Sequence, residues 1–378
     1  MRVLCASIPA YSHAAPLLSL ARELRAQGHE VAWASSPELL RRLEEPPPHY
    51  PTDTGTPLPQ GRRVQRRNFV RFLRDIVPRL ASAMAPGLQA AVEDFRPDAM
   101  AVDLCCFAGA SVAEAHGIPW VTTHMMPALY QDIFDGLVEM EIAVTTRLEE
   151  AAARHGLPAH RWPLRSPNFN FIPGPRCLLP TEAVVQSQDI FVGTMLLHRQ
   201  PPLSPSMQAR VEAGSCGLVS LGTLTSDMSV GVLRDGAESL ATELDHVWVA
   251  APPELFRGHA LPSNVEVAPW LPTATLLPLV DAALCHGGYA TVTEALAGGT
   301  PMLVSPTRYD QPWIAHRLVQ RGVAIQVSRR AERAAIQQAA TRLLQEPQFL
   351  ASARAQAALF PSGGTAEAVA KVTRLVLG

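Results

Sequence analysis

The stretch from Ala282 to Gly299 constrains the fold more tightly than any other part of the chain. Ala282-Ala-Leu-Cys285 is an apolar run of the length of a buried strand, and His286-Gly287-Gly288 breaks it at once. Thr291 then opens an apolar-periodic segment, Val292, Ala295 and Leu296, that stops at Gly298-Gly299, which predicts a helix. Strand, glycine turn and helix together present backbone N–H groups and the positive end of a helix dipole to whatever occupies the turn. Glycine also lets the backbone approach an anion more closely than a residue with a Cβ. A diphosphate suits such a turn.

The start of the chain predicts a β-α-β unit and hence a parallel sheet. Arg2 to Ile8 reads as a strand and Pro9 to Ser12 as a turn. Pro16 fits the first turn of a helix whose apolar face is Leu17, Leu20, Ala21 and Leu24, closed by Gly28. Glu30 to Ser36 is the second strand, and His13 sits where the first strand meets the first helix. Ala99 to Asp103 and Ile118 to His124 are further buried strands of the same unit. His13 and Asp103 should therefore emerge at one carboxyl edge, where doubly wound sheets bind ligands.

Between these elements the signals are weaker. Glu44 to Gln60 is Pro-rich and aperiodic, so a loop is expected. Arg62, Arg63, Arg66, Arg67, Arg71 and Arg74 follow on a helical pattern, either as a solvated basic face or as a rim over a pocket. Pro127 to Ala153 reads as a long helical region, preceded by Met125 and Met126 and containing Phe134. Those apolar side chains suit either a core or the lining of a lipophilic site. His198 to Ser206 is rich in Pro and Ser and predicts the linker. Gly217 to Ser226 begins a second α/β domain with another strand meeting a Gly-Thr turn, and Gly363-Gly364 starts a last helix.

With 378 residues, the chain is long enough for two domains, each with its own core. A formal net charge of −2 gives no basic excess of the kind nucleic-acid binding needs. The 6 cysteines include no zinc spacing, and the apolar runs are strand-sized, too short to span a bilayer. Met1 runs directly into a strand pattern, so no secretory leader is expected and a cytoplasmic setting follows.

Read together, Trp270-Leu271-Pro272, His286-Gly287-Gly288, Thr291, Glu294 and Asp310-Gln311 resemble, in order and spacing, the nucleotide-sugar signature of the family 1 glycosyltransferases. The resemblance implies a GT-B fold: an α/β protein of two facing Rossmann-like domains with parallel sheets. The domains would be 1–200 for the acceptor, 201–212 as linker and 213–360 for the nucleotide-sugar. The segment 361–378 would be a helix packing back on the first domain.

It also implies roles. Trp270 and Pro272 would meet the base, with Leu271 between them also in the donor site, and Thr223, His286, Gly287, Gly288, Ala290 and Thr291 would meet the diphosphate. Glu294 would take the ribose hydroxyls, and Asp310 and Gln311 the donor sugar. Ala290 stands where Gly or Asn is usual and Thr273 where Gln is common, which leaves the choice between TDP and UDP donors open. His13 matches the family's catalytic base and Asp103 its partner carboxylate. An alcohol needs such a base at neutral pH, and histidine, with a pKa of about 6.5, is mostly neutral there. For His124, acceptor-pocket lining and simple packing stand as equal readings, and Met125, Met126 and Phe134 would give that pocket an apolar lining.

The expected function is inverting transfer of a sugar or deoxysugar to a hydroxyl of a small lipophilic secondary metabolite. The nucleotide-sugar is a co-substrate; no cofactor and no metal are expected, since no Asp-x-Asp motif is present. A homodimer stays open. The competing readings are a nucleotide-sugar epimerase of the same fold and a non-catalytic auxiliary partner of another transferase. The epimerase would want carboxylates beside the sugar, and the auxiliary protein should have lost the base or the diphosphate turn.

Overall fold

A computed structural model describes residues 1–53, 70–125, 134, 137–179, 183–195, 202–222, 230–307, 310–360 and 364–378. Thr223, Met126 and most of the basic stretch before Val70 lie outside the described residues. The described chain divides into two compact units. One takes the residues up to Met195 together with the C-terminal helix Gly364–Leu377, and the other runs from Pro202 to Phe360.

The first unit holds a parallel sheet built from β1 (Arg2–Ala6), β2 (Glu30–Ser35), β3 (His49–Pro51), β4 (Ala99–Asp103), β5 (Trp120–Thr123), β6 (Phe169–Pro173) and β7 (Asp189–Gly193). Its strand order is β3-β2-β1-β4-β5-β6-β7. Helices cover the faces of such a sheet, so its strands read as unbroken apolar runs. Val3 to Ala6 and Ala99 to Val102 are wholly buried. The helix Tyr11–Ala26 lays Leu17, Leu20, Ala21 and Leu24 on this core beside Trp33.

Two details depart from the sequence reading. The helix begins at Tyr11, which puts Pro16 inside it and His13 in its first turn, with the His13 N–H donating to Ala10 O at 3.0 Å. Pro16 lies beyond the first turn, so the helix forgoes there the bond that an N–H at this position would make to the Ser12 carbonyl. The Pro-rich stretch also contains β3, which pairs with β2 from Trp33↔His49 to Ser35↔Pro51. An edge strand can hold proline because one side of its ladder is unused.

The second unit holds β8 (Cys216–Ser220), β9 (His246–Ala250), β10 (Val265–Ala268), β11 (Ala282–Cys285), β12 (Met302–Val304) and β13 (Ala324–Gln326). Their order is β10-β9-β8-β11-β12-β13, again all parallel. The segment 201–212 is largely helix, Pro205–Ala213, begun by the Ser204 hydroxyl accepting from Met207 N–H.

Each sheet therefore reverses its strand order once, between β1 and β4 in the first and between β8 and β11 in the second. Connections leave these neighbouring strands toward opposite ends of the sheet, and a crevice opens at the carboxyl edge. His13 follows β1 and Asp103 ends β4; Gly222 follows β8 and His286 follows β11.

The C-terminal helix completes the first unit by burying Ala368, Val369 and Val372 in the same core cluster as Leu17 and Leu20. Truncating Val369 to Ala should cost about 1–3 kcal/mol through lost burial and the cavity left behind. A lower urea midpoint at unchanged slope is the expected readout, and an unchanged midpoint would show that the helix contributes little.

Candidate functional site

At the strand-order reversal of the first sheet, the Asp103 carboxylate gathers three donors. Oδ2 accepts from Ile8 N–H at 2.7 Å, and Oδ1 accepts from Cys105 N–H at 2.8 Å and from His13 Nδ1 at 2.9 Å. Backbone amides can only donate, so they hold the carboxylate in one orientation. Its remaining acceptor capacity fixes the proton of His13 on Nδ1 and leaves the Nε2 lone pair as the basic end. Asp103 is buried, whereas the His13 side chain keeps 16% of its surface exposed. The pair can therefore accept a proton from outside without exposing its charge partner.

Cys105 adds a third potential ligand atom, and His13, Asp103 and Cys105 form the one such group of metal-ligating atoms among the described residues. The donor set fits a hydrogen-bonded dyad better than an ion. The Asp103 Oδ1 already serves two N–H groups, and burial, then the Asp103 charge, raises the Cys105 thiol pKa well above its usual value.

His124, just past the end of β5, is fully buried, and desolvation lowers its pKa to about 3, so it is neutral. The surrounding bonds also assign its tautomer. Ser166 N–H donates to Asn170 Oδ1 at 2.7 Å, which identifies that atom as oxygen. Thr122 must then spend its only hydroxyl proton on Asn170 Oδ1, also at 2.7 Å. The contact between Thr122 Oγ1 and His124 Nε2 at 2.7 Å is therefore donated by the histidine. The other ring nitrogen, Nδ1, is a buried acceptor with no hydrogen-bond partner among the described residues. Met125 and Phe134 are buried close by in sequence.

At the reversal of the second sheet, two turns meet on one side chain. Gly222 and Gly287 both have positive φ, at 75° and 81°. A Cβ on Gly222 would lie 2.8 Å from His286 Cε1, and one on Gly288 would lie 2.3 Å from His286 Nε2. Glycine is required at both positions for the imidazole to sit between them. The helix after this turn starts at Tyr289, two residues before the expected Thr291, because Gly288 adopts the extended conformation of an N-cap. Ala290 and Thr291 thus lie in its first turn, where N–H groups have no carbonyl to meet inside the helix. The arrangement can hold an anion through His286 and these amides.

The other expected donor-site residues belong to the same unit. Glu294 lies one turn further along the helix and is buried, and desolvation raises its pKa to about 8. Trp270 follows β10 with 60% of its surface exposed, an indole face open for stacking, while Leu271 beside it is buried. Asp310 occupies the N-cap position of the helix Gln311–Gln320. Gln311 packs near the glycine turn, since a Cβ on Gly287 would lie 3.4 Å from the Gln311 carbonyl oxygen.

The structure thus brings His13 to Asp103, and His286 to Gly287 and Gly288, with Gln311 beside them. Gly222 was legible only as half of a Gly-Thr turn. Asn170 and Thr307 carry no motif at all, and the hydrogen bonds alone reveal them.

The chain is similar to known proteins over most of its length. Residues 239–374 match the family described as "Erythromycin biosynthesis protein CIII-like, C-terminal domain". The elloramycin glycosyltransferase ElmGT of Streptomyces olivaceus is 31% identical over 372 residues, covering 94% of this chain and 92% of the relative. The crystal structure of the glycotransferase of kitacinnamycin superposes with a TM-score of 0.78 at 26% identity, covering 99% of this chain and 98% of that one. The glycosyltransferase VinC in complex with dTDP superposes with a TM-score of 0.78 at 20% identity over the full length of both chains.

The Glu294 carboxyl gives the site a pH signature. Its pKa is raised from 4.5 to about 8 on folding, so between those values the native state holds a proton that the unfolded state has released. Its contribution to stability is fully present below pH 4.5 and is lost as pH rises to about 8. Over that window the wild type should lose up to roughly 1.4 kcal/mol per pH unit relative to Glu294→Gln. Denaturation curves of the two proteins at pH 5.5 and 8.5 check this; a pH-independent difference would contradict it.

Proposed function

Because the chain belongs to the family 1 glycosyltransferases of natural-product biosynthesis, enzymes of the GT-B fold, we propose that it transfers a sugar with inversion and without a metal. The donor is a TDP- or UDP-sugar and the acceptor a hydroxyl of a small lipophilic secondary metabolite. The dTDP held by the VinC structure supports the thymidine nucleotide. The observation that carries the reading is the Asp103 carboxylate, fixed by two backbone amides and bonded to His13 Nδ1.

In this mechanism the His13 Nε2 takes the proton of the acceptor hydroxyl as its oxygen forms a bond to the anomeric carbon. The bond from that carbon to the diphosphate breaks, and the electron pair leaves with the nucleotide. Asp103 stabilises the imidazolium that forms. His286 and the first-turn amides of the helix Tyr289–Gly298 take up the charge developing on the diphosphate. The exposed face of Trp270 receives the base and Glu294 the ribose hydroxyls. His124 Nδ1, an acceptor without a partner among the described residues, suits a hydroxyl of the acceptor molecule. Met125 and Phe134 would supply apolar contact beside it.

Replacing His13 by Ala should lower turnover by roughly 10²–10⁴-fold with an alcohol acceptor while leaving nucleoside diphosphate affinity unchanged. Asp103→Asn should cost a comparable factor or less. Its amide must set an NH₂ against either a backbone amide or His13, which misdirects the imidazole proton. Residues acting as a unit are non-additive, so the double variant should be scarcely worse than His13→Ala alone. A multiplicative loss in steady-state rates would refute the dyad. Turnover should also survive chelation by EDTA; abolition restored by magnesium would refute the metal-independent route.

A further inference from the structure

The loop that carries Asp310 and Gln311 contains a device that the family signature does not include. Ser305 follows β12, and its N–H donates to Cys285 O at 2.8 Å, tying the loop to the strand that precedes His286. Two residues on, Thr307 donates twice to one atom. Both its backbone N–H and its hydroxyl reach Gln311 Oε1, each at 2.9 Å. A backbone amide has no lone pair to offer, so the Gln311 atom it meets must be the oxygen. The rotation of the amide is thereby settled by chemistry.

Gln311 is buried and opens its helix directly beside the Gly287 turn. A free glutamine can present either end of its amide to a sugar. Here Thr307 engages the oxygen, and the NH₂ end, with two protons, is the one turned away from it.

We infer that Thr307 is a positioning residue for donor recognition, fixing Gln311 so that it addresses the donor sugar as a hydrogen-bond donor through Nε2. This rests on the reading that Asp310 and Gln311 hold the sugar, and it adds a substrate class to it. The sugar position that meets Gln311 carries an oxygen with a lone pair, a hydroxyl or a carbonyl. A protonated amino group has only donors to offer and is disfavoured there.

The test compares affinity for a nucleotide-sugar with affinity for the bare nucleotide. TDP-glucose against TDP serves by calorimetry, or UDP-glucose against UDP if the wild type binds that sugar more tightly. Thr307→Val should weaken the nucleotide-sugar about 3- to 10-fold, the scale of one lost hydrogen bond, and leave the nucleotide unchanged. Thr307→Ser should restore the wild-type ratio. Gln311→Glu keeps an acceptor for Thr307 but replaces the NH₂ by oxygen, so it should lose the sugar as fully as Gln311→Ala.

Each contrary outcome has its own meaning, with thermal melting confirming that every variant is folded. If Gln311→Ala leaves the ratio unchanged, or no nucleotide-sugar binds the wild type, the sugar-contact reading falls and the inference with it. If Gln311→Ala lowers the ratio but Thr307→Val does not, the positioning role alone is overturned. Equal losses for sugar and nucleotide in Thr307→Val would make Thr307 a structural element of the loop. Full retention of the sugar in Gln311→Glu would overturn the donor-only assignment.

Discussion

The reversal of strand order in a parallel sheet is the constraint on which both candidate sites depend. Where two neighbouring strands send their connections to opposite sides, the backbone at their carboxyl ends is left uncovered. In the first unit that position lies between β1 and β4, and in the second between β8 and β11. Each holds one histidine and what orients it: a carboxylate in one case, two glycines in the other. The same topology thus sets a histidine beside a carboxylate in one unit and a histidine between two glycines in the other.

Different features of the fold fix the place of each histidine. His13 is oriented by charge and hydrogen bonds, through a carboxylate that two backbone amides prevent from turning. Removing its partner would change its proton placement more than its packing. His286 is oriented by shape, since its ring occupies room that exists only because Gly222 and Gly288 lack side chains. A methyl group at Gly222 would also meet a backbone with φ of 75°, so strain and collision would coincide.

Several buried polar groups near these sites are expensive to the folded state by themselves. Glu294 is desolvated until its pKa reaches about 8, and His124 carries a buried nitrogen without a partner among the described residues. An unsatisfied buried acceptor costs on the order of 1–3 kcal/mol. Apolar side chains in the same places would carry no such cost. Thr122, Asn170 and Ser166 show the contrasting case, a polar cluster whose members satisfy one another.

By itself the sequence determined the fold class and the order of the functional elements. Ala99–Asp103 and Ala282–Cys285 could be read residue for residue, because a strand buried on both faces is an unbroken apolar run. The edge strand β3 was hidden by its prolines, and β6 by Asn170, a buried polar residue whose partners lie 48 residues before it at Thr122 and 4 before it at Ser166. The helix starts at Tyr11 and Tyr289 were displaced because capping depends on local φ and ψ, which propensity does not report. Only the tertiary structure decided which atom of His13 is basic, which tautomer His124 adopts and which end of Gln311 is engaged by Thr307. Those choices are made by single hydrogen bonds between residues that are remote in sequence or unmarked by any motif, and a donor or acceptor acquires direction only once its partner is in place.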